Sequence, residues 1–144
     1  SEARHLVDFA VMGAAFAQYV LEIAPGGGTP AAFGEDGIQH FFYVLSGEAR
    51  IVVAGGAAQT LTAGGFAYLP PATPFTLRNE SAEGIRVLAL RKRYEAVPGL
   101  AVPEPIVSHR DAVPMTNHRP RLIRENAWPE CDEDDCNQYA VERA

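Results

Sequence analysis

The chain has few of the residues that build disulfide scaffolds or cross membranes. Its 144 residues include only two cysteines, Cys131 and Cys136, which is too few for the disulfide framework of a small secreted domain. No apolar run approaches the roughly 20 residues that span a bilayer, and no charged-then-apolar leader follows Ser1. We therefore expect a cytoplasmic protein with no membrane partner.

Positive charge is also scarce. Twelve Lys and Arg residues stand against 18 Asp and Glu residues, which gives a formal net charge of −6. Binding to nucleic acid needs a concentrated positive field, so no nucleic-acid partner is expected. The local basic group of Arg86, Arg91, Lys92 and Arg93 is interpreted as a solvated or salt-bridged surface.

Short β-forming segments fill the middle of the chain, and Gly- and Pro-rich turns separate them. Between residues 14 and 94 there is no 3.6-residue apolar period, which would indicate a helix. The expected strands are 15–23, 40–45, 49–53, 59–62, 66–69, 75–78 and 85–93. Many short strands of this kind predict an all-β sandwich or barrel.

The composition changes after the last of these strands. Residues 95–120 contain five prolines, which predicts an extended strap over the surface. Residues 121–144 are polar and acidic, and we expect a solvated tail there. The resulting division is an N-terminal lead-in (1–12), a barrel (13–97), and a strap with an acidic tail (98–144).

Two segments of the barrel region resemble the cupins, which are small β-barrels of the jelly-roll type. Residues 40–48, His-Phe-Phe-Tyr-Val-Leu-Ser-Gly-Glu, are similar to the end of the first cupin motif. Residues 64–79, with their Gly-Gly pair, Pro loop and Asn79, are similar to the second motif. The resemblance implies a single cupin jelly-roll barrel with an irregular, Pro-rich C-terminal extension.

A closer resemblance is to the ureidoglycine aminohydrolase family of two-barrel enzymes, which act in ureide (allantoin) and purine breakdown. Over residues 12–100 the chain resembles their N-terminal half, at 13–19, 25–28, 42–47 and 91–94. The resemblance implies metal-assisted hydrolysis that releases ammonia from ureidoglycine, with manganese held in the other, C-terminal barrel. Residues 135–137 (Asp-Cys-Asn) resemble the end of that second half. The chain is therefore interpreted as the half without the metal.

The resemblance also locates the metal-ligand positions. Cupins hold a metal with an H-x-H pair, a Glu and a later His, all on one face of the barrel. Here the Glu position falls on His40, and the H-x-H pair falls on residues 33 and 35 or on 34 and 36. The last His position is Phe75, whose ring cannot coordinate a metal. Weak candidate ligands are Glu35, Asp36 and His40, so we expect no tightly bound metal, and manganese only if the family activity is retained.

The candidate pocket residues are those expected at the mouth and inside the barrel: Glu35, Gln39, His40, Phe42, Phe75 and Leu77. His40 either forms a hydrogen bond with a neighbouring carbonyl or carboxylate, or carries a proton, with Gln39, Glu35 or Asp36 as its orienting partner. His109 is expected outside the barrel, as are the other two histidines. No catalytic residue can be assigned.

Three functions remain open at this point. The chain is part of an aminohydrolase whose metal half is elsewhere, a metal-free cupin that binds a small polar ligand or regulates a partner, or a half-barrel that forms a homo-oligomer through edge strands. A bound divalent metal would favour the first function and a ligand near His40 the second. An empty barrel with a large apolar interface would favour the third.

Overall fold

A computed structural model describes residues 2–7 and 15–112 of the chain. Within these ranges it contains nine strands and one short 3₁₀ turn, Arg110–Ala112. The strands are β1 (Glu2–Val7), β2 (Phe16–Ile23), β3 (Ile38–Ser46), β4 (Ala49–Val53), β5 (Gln59–Leu61), β6 (Gly65–Leu69), β7 (Phe75–Arg78), β8 (Ile85–Arg93) and β9 (Ile106–His109). The described part of the chain has no helix long and apolar enough to cross a membrane.

The strands form two antiparallel sheets. The larger sheet has the order β1-β2-β8-β3-β6-β9, and the smaller has the order β5-β4-β7. All seven strands expected from the sequence are present, with ends shifted by two residues at most. The prediction of an all-β barrel domain is confirmed.

Period-two alternation decides which side chains build the core between the sheets. On β3 the residues Phe42 and Val44 face inward, and on β8 Ile85, Val87 and Ala89 do the same. Phe75 and other residues of the smaller sheet pack against them, and all are less than 9% exposed. Burying one such large apolar side chain contributes about 1.5–3 kcal/mol to the free energy of folding, so packing in the core holds the two sheets together.

The larger sheet takes strands from both flanks of the expected barrel. Its edge strand β1 lies within the expected lead-in, and its other edge strand, β9, lies within the expected strap. His109, expected outside the barrel, ends β9, and its Nε2 lies 3.0 Å from the carbonyl oxygen of Ala63. The division at residues 13 and 97 stays a prediction, although sheet pairing extends past both points.

Asn79 joins two loops at one end of the barrel. It is fully buried, and its amide donates hydrogen bonds to the carbonyls of Ile23 (2.9 Å) and Glu83 (2.6 Å). Its side-chain oxygen accepts from the backbone N–H of Ser81 at 3.0 Å. A buried amide with this many partners fixes the backbone around it, because each broken bond would leave a buried group unsatisfied. This is the Asn singled out in the second motif.

Residues 113–144 lie outside the described residues. The expectations for the acidic tail, for Cys131 and Cys136, for His118, and for the resemblance of residues 135–137 therefore stay predictions.

Candidate functional site

A cavity of about 720 Å³ is lined by strands of both sheets and by the loop between β2 and β3. Most of its wall is apolar, formed by Tyr19, Leu21, Ile23, Phe42, Phe75, Leu77 and Ala89. Its volume lies in the range of pockets that hold small molecules, roughly 300–1,000 Å³. The cavity is therefore the candidate site.

The polar end of the cavity consists of Glu35, His40 and Arg91. His40 and Arg91 are cross-strand partners on β3 and β8, so their side chains lie side by side on the inner face. Glu35 is held on the preceding loop, where its carbonyl accepts from the N–H of Ala72 at 3.0 Å. Arg91 Nε donates to Glu35 Oε2 at 3.1 Å, and Arg91 Nη2 donates to Oε1. This bidentate pair brings together residues that are 56 positions apart.

His40 is buried beneath this ion pair, with 5% of its surface exposed. Its Nε2 lies 3.0 Å from Glu35 Oε2, but the contact lacks hydrogen-bond alignment, and Nε2 has no other partner among the described residues. Burial lowers the pKa of His40 most, the charge of Arg91 also lowers it, and the carboxylate of Glu35 opposes both. The imidazole is therefore neutral at pH 7.

Three phenyl rings surround the imidazole on the apolar side. The ring of Phe75 lies 5.4 Å from His40, 5.2 Å from Phe42 and 4.5 Å from Phe33, centroid to centroid. Phe33 is placed by two backbone hydrogen bonds that it exchanges with Phe75, at 3.0 and 3.1 Å. The loop is thereby held to β7. Phe33 is 42% exposed and offers its ring to a molecule in the cavity, whereas the rings of Phe42 and Phe75 are packed in the core.

The structure brings five of the six expected pocket residues to the cavity and leaves one out. Gln39 is the exception, because it alternates with His40 on β3 and faces the opposite side, where it accepts from the Tyr68 hydroxyl at 2.9 Å. Asp36 is exposed and does not line the cavity. Of the three orienting partners considered for His40, only Glu35 contacts it.

Arg91 is the residue that the sequence reasoning missed. It was grouped with a solvated basic surface, yet it lines the cavity and binds Glu35. The alternation of β8 contains the signal, since Ile85, Val87, Ala89 and Arg91 occupy every second position and share the inner face.

The described residues do not fit a manganese ion. They contain no group of three or more His, Cys, Asp and Glu side chains placed to hold a metal. Of the three weak candidates, only Glu35 and His40 come together, and Arg91 bonds both oxygens of Glu35. Phe75, at the position of the last His ligand, contributes only a ring.

Comparisons with known sequences identify relatives of this barrel. The sequence profile described as "Cupin domain" matches residues 19–91. (S)-Ureidoglycine aminohydrolase of Escherichia coli (strain K12) is 36% identical over 90 residues, which are 62% of this chain and 34% of that protein. The chain spans about a third of the length of this relative.

Solved structures share the fold. Protein Ylba from E. coli matches with a TM-score of 0.71 and 30% identity, over 78% of this chain and 45% of that one. The putative glyoxylate induced protein from Pseudomonas aeruginosa matches with a TM-score of 0.69 and 26% identity, over 78% and 42%. Because the Cupin domain profile covers half of the chain and its two-sheet barrel matches these structures, the chain belongs to the cupin family, with (S)-ureidoglycine aminohydrolase among its relatives.

Proposed function

We propose that this chain is the metal-free cupin half of a ureidoglycine aminohydrolase-like protein, and that its barrel binds a small polar molecule. Manganese binding and the hydrolytic release of ammonia would then be properties of the longer protein of which such a half is part. The cytoplasmic location expected from the two cysteines is part of the same proposal.

One observation carries this proposal. Both oxygens of the Glu35 carboxylate accept hydrogen bonds from Arg91, at the place in the cavity where the family resemblance puts metal ligands. A metal would have to displace the bidentate guanidinium from Glu35. Beside the freed carboxylate it would have only the imidazole of His40 as a ligand, because the phenyl ring of Phe75 cannot coordinate it. The partly exposed guanidinium of Arg91 and carboxylate of Glu35 instead present hydrogen-bonding groups to an apolar cavity, which is the usual composition of a small-molecule pocket.

Metal content and ammonia release test this function. The chain is purified without chelators or a nickel column and dialysed against manganese chloride, and bound manganese is then measured by mass spectrometry. The same sample is assayed for ammonia release from ureidoglycine with manganese present. We expect manganese far below stoichiometry and no ammonia above the buffer rate. Stoichiometric manganese that is lost in Glu35→Gln would contradict the proposal.

A second candidate function is self-association, and the outer face of the larger sheet favours it. Paired residues there form two apolar rows across the strands: Val20, Leu88, Tyr43 and Phe66, and Leu90, Phe41, Tyr68 and Ile106. We call these eight side chains the outer face. They are all partly exposed, whereas one face of an antiparallel sheet is ordinarily polar. An ion pair between Glu22 and Arg86 flanks one end, as at the polar rim of an interface.

We propose that a second copy of this chain covers the outer face, which offers a broader surface than the edge strands considered first. Sedimentation velocity of the wild type and of Leu88→Glu tests this. We expect a dimer that becomes monomeric in the variant, because a carboxylate in the centre of an apolar interface would be desolvated. Val52→Glu, on the outward side of the smaller sheet, should leave the dimer intact. A wild type that stays monomeric at high concentration would contradict the proposal.

A further inference from the structure

The polar end of the cavity carries no net charge. Glu35 and Arg91 neutralise each other, and His40 is neutral because its burial lowers its pKa. Glu2 also lines the cavity, but it lies far from the polar end. Glu2 pairs with Glu22 on β2, and Arg91 pairs with Ala17, which is five residues from Glu22 on the same strand. At about 3.3 Å per residue, that distance is roughly 17 Å. A charged ligand at the polar end would therefore be repelled by the residue of like charge, while the residue of opposite charge is already paired within the ion pair of Glu35 and Arg91.

The same end has hydrogen-bonding groups of both kinds left over. Arg91 uses Nε and Nη2 on Glu35, and no described residue accepts a hydrogen bond from its Nη1. The carboxylate of Glu35 has lone pairs beyond the two that Arg91 occupies. Both residues line the cavity, so a donor and an acceptor are available at its polar end to a group that carries C=O and N–H on one edge.

The apolar part of the site suits a flat body. The ring of Phe75 lies 4.5 Å from that of Phe33 and 5.2 Å from that of Phe42, and of the three rings only that of Phe33 is exposed. Aromatic rings pack most favourably against other planar groups in offset or edge-to-face geometry. His40, which is nine-tenths buried, lies between these rings and the ion pair, with its Nε2 3.0 Å from Glu35 Oε2.

We propose that the cavity binds a small, planar, uncharged molecule with an amide edge. Its carbonyl oxygen accepts a hydrogen bond from Arg91, its N–H donates to Glu35, and its flat body lies against the exposed ring of Phe33. This inference rests on the proposed ligand-binding function and specifies the chemical class of the ligand. It involves no covalent step.

Three probes of the same shape and different charge test the inference: benzamide, benzoate and benzamidinium. Binding is measured by saturation-transfer NMR and by titration of the protein's imidazole signals. We expect benzamide to bind at least about ten-fold more tightly than either ion, because each ion would leave a charge poorly compensated in the cavity. Glu35→Gln and Arg91→Met should each reduce benzamide affinity and narrow this preference. Arg50→Met removes an arginine of an exposed ion pair with Glu80 and should change nothing.

The outcomes separate this inference from the proposed function. Tighter binding of benzoate or of benzamidinium, or equal binding of all three, overturns the amide class while a small-molecule pocket remains. Failure of all three probes to bind overturns the inference, whereas the metal-free function is decided by the manganese measurement. Stoichiometric manganese in the same samples, measured as above, overturns the metal-free function alone. Thermal unfolding of each variant shows whether a lost affinity reflects lost folding, and Glu35→Gln, which keeps the side chain's shape, is the variant least prone to unfold.

Discussion

Replacing Gly28 with alanine is expected to lower the free energy of unfolding by about 3–5 kcal/mol. A Cβ atom at this position would lie 2.2 Å from the carbonyl oxygen of Leu77 and 2.7 Å from Cα of Arg78. These are backbone atoms of β7, so neither can move aside without breaking the sheet. Gly28 also has a φ of +129°, a conformation that side-chain-bearing residues rarely adopt.

Gly26 provides the matched control in the same turn. Its φ is +71°, and a Cβ atom there would meet nothing within 4 Å. Gly26→Ala should therefore cost only the backbone term, about 1–2 kcal/mol. Urea unfolding of both variants measures the difference. Equal losses of unfolding free energy in the two variants would show that β7 can shift to accommodate a Cβ atom at position 28. The close approach would then not be what holds this wall of the cavity in place.

The close approach at Gly28 matters because it closes the cavity wall between β2 and β7. The N–H of Thr29 donates to the carbonyl of Leu77 at 2.9 Å, and the Thr29 hydroxyl accepts from the N–H of Leu77 at 2.9 Å. An alanine at position 28 would press on that same carbonyl. We therefore expect the variant to lose any ligand bound in the cavity along with its stability.

The strands that could be predicted from the sequence are those with strong local signals. Segments such as β3 and β8 combine β-forming residues with flanking turns, and both were placed within two residues of their ends. The edge strands β1 and β9 have weaker signals. They are extended because β2 and β6 offer them backbone partners, and pairing of that kind depends on the tertiary fold.

The candidate site was predicted only in part, because its contacts also depend on the tertiary fold. Gln39 and His40 were both expected at the barrel mouth, but adjacent residues on a strand point to opposite faces. Alternation alone would have excluded one of the two. The ion pair between Glu35 and Arg91 depends on which loop conformation brings residues 56 positions apart into contact, and composition carries no signal for that.

Removing the negative charge beside His40 and removing the positive charge are expected to move the pKa of His40 in opposite directions. The carboxylate of Glu35 favours the protonated imidazole, so Glu35→Gln should lower the pKa further. The guanidinium of Arg91 opposes protonation, so Arg91→Met should raise it. The titration of the imidazole Cε1–H signal, which is identified by its loss in His40→Gln, should move to lower pH in the first variant and to higher pH in the second. Arg50→Met should leave the titration of His40 unchanged.

The stability of the protein should follow the same titration. An unfolded histidine titrates near pH 6.5, and folded His40 titrates below that value, so the unfolded chain binds more protons in the interval. The free energy of unfolding therefore falls as the pH drops below about 6.5, and the fall ends at the folded pKa. Each pH unit of that interval is worth about 1.4 kcal/mol. Glu35→Gln should widen the interval and Arg91→Met should narrow it. A pKa that stays the same in both variants would show that burial alone sets it, and that the two charges do not act on the imidazole at the end of the cavity.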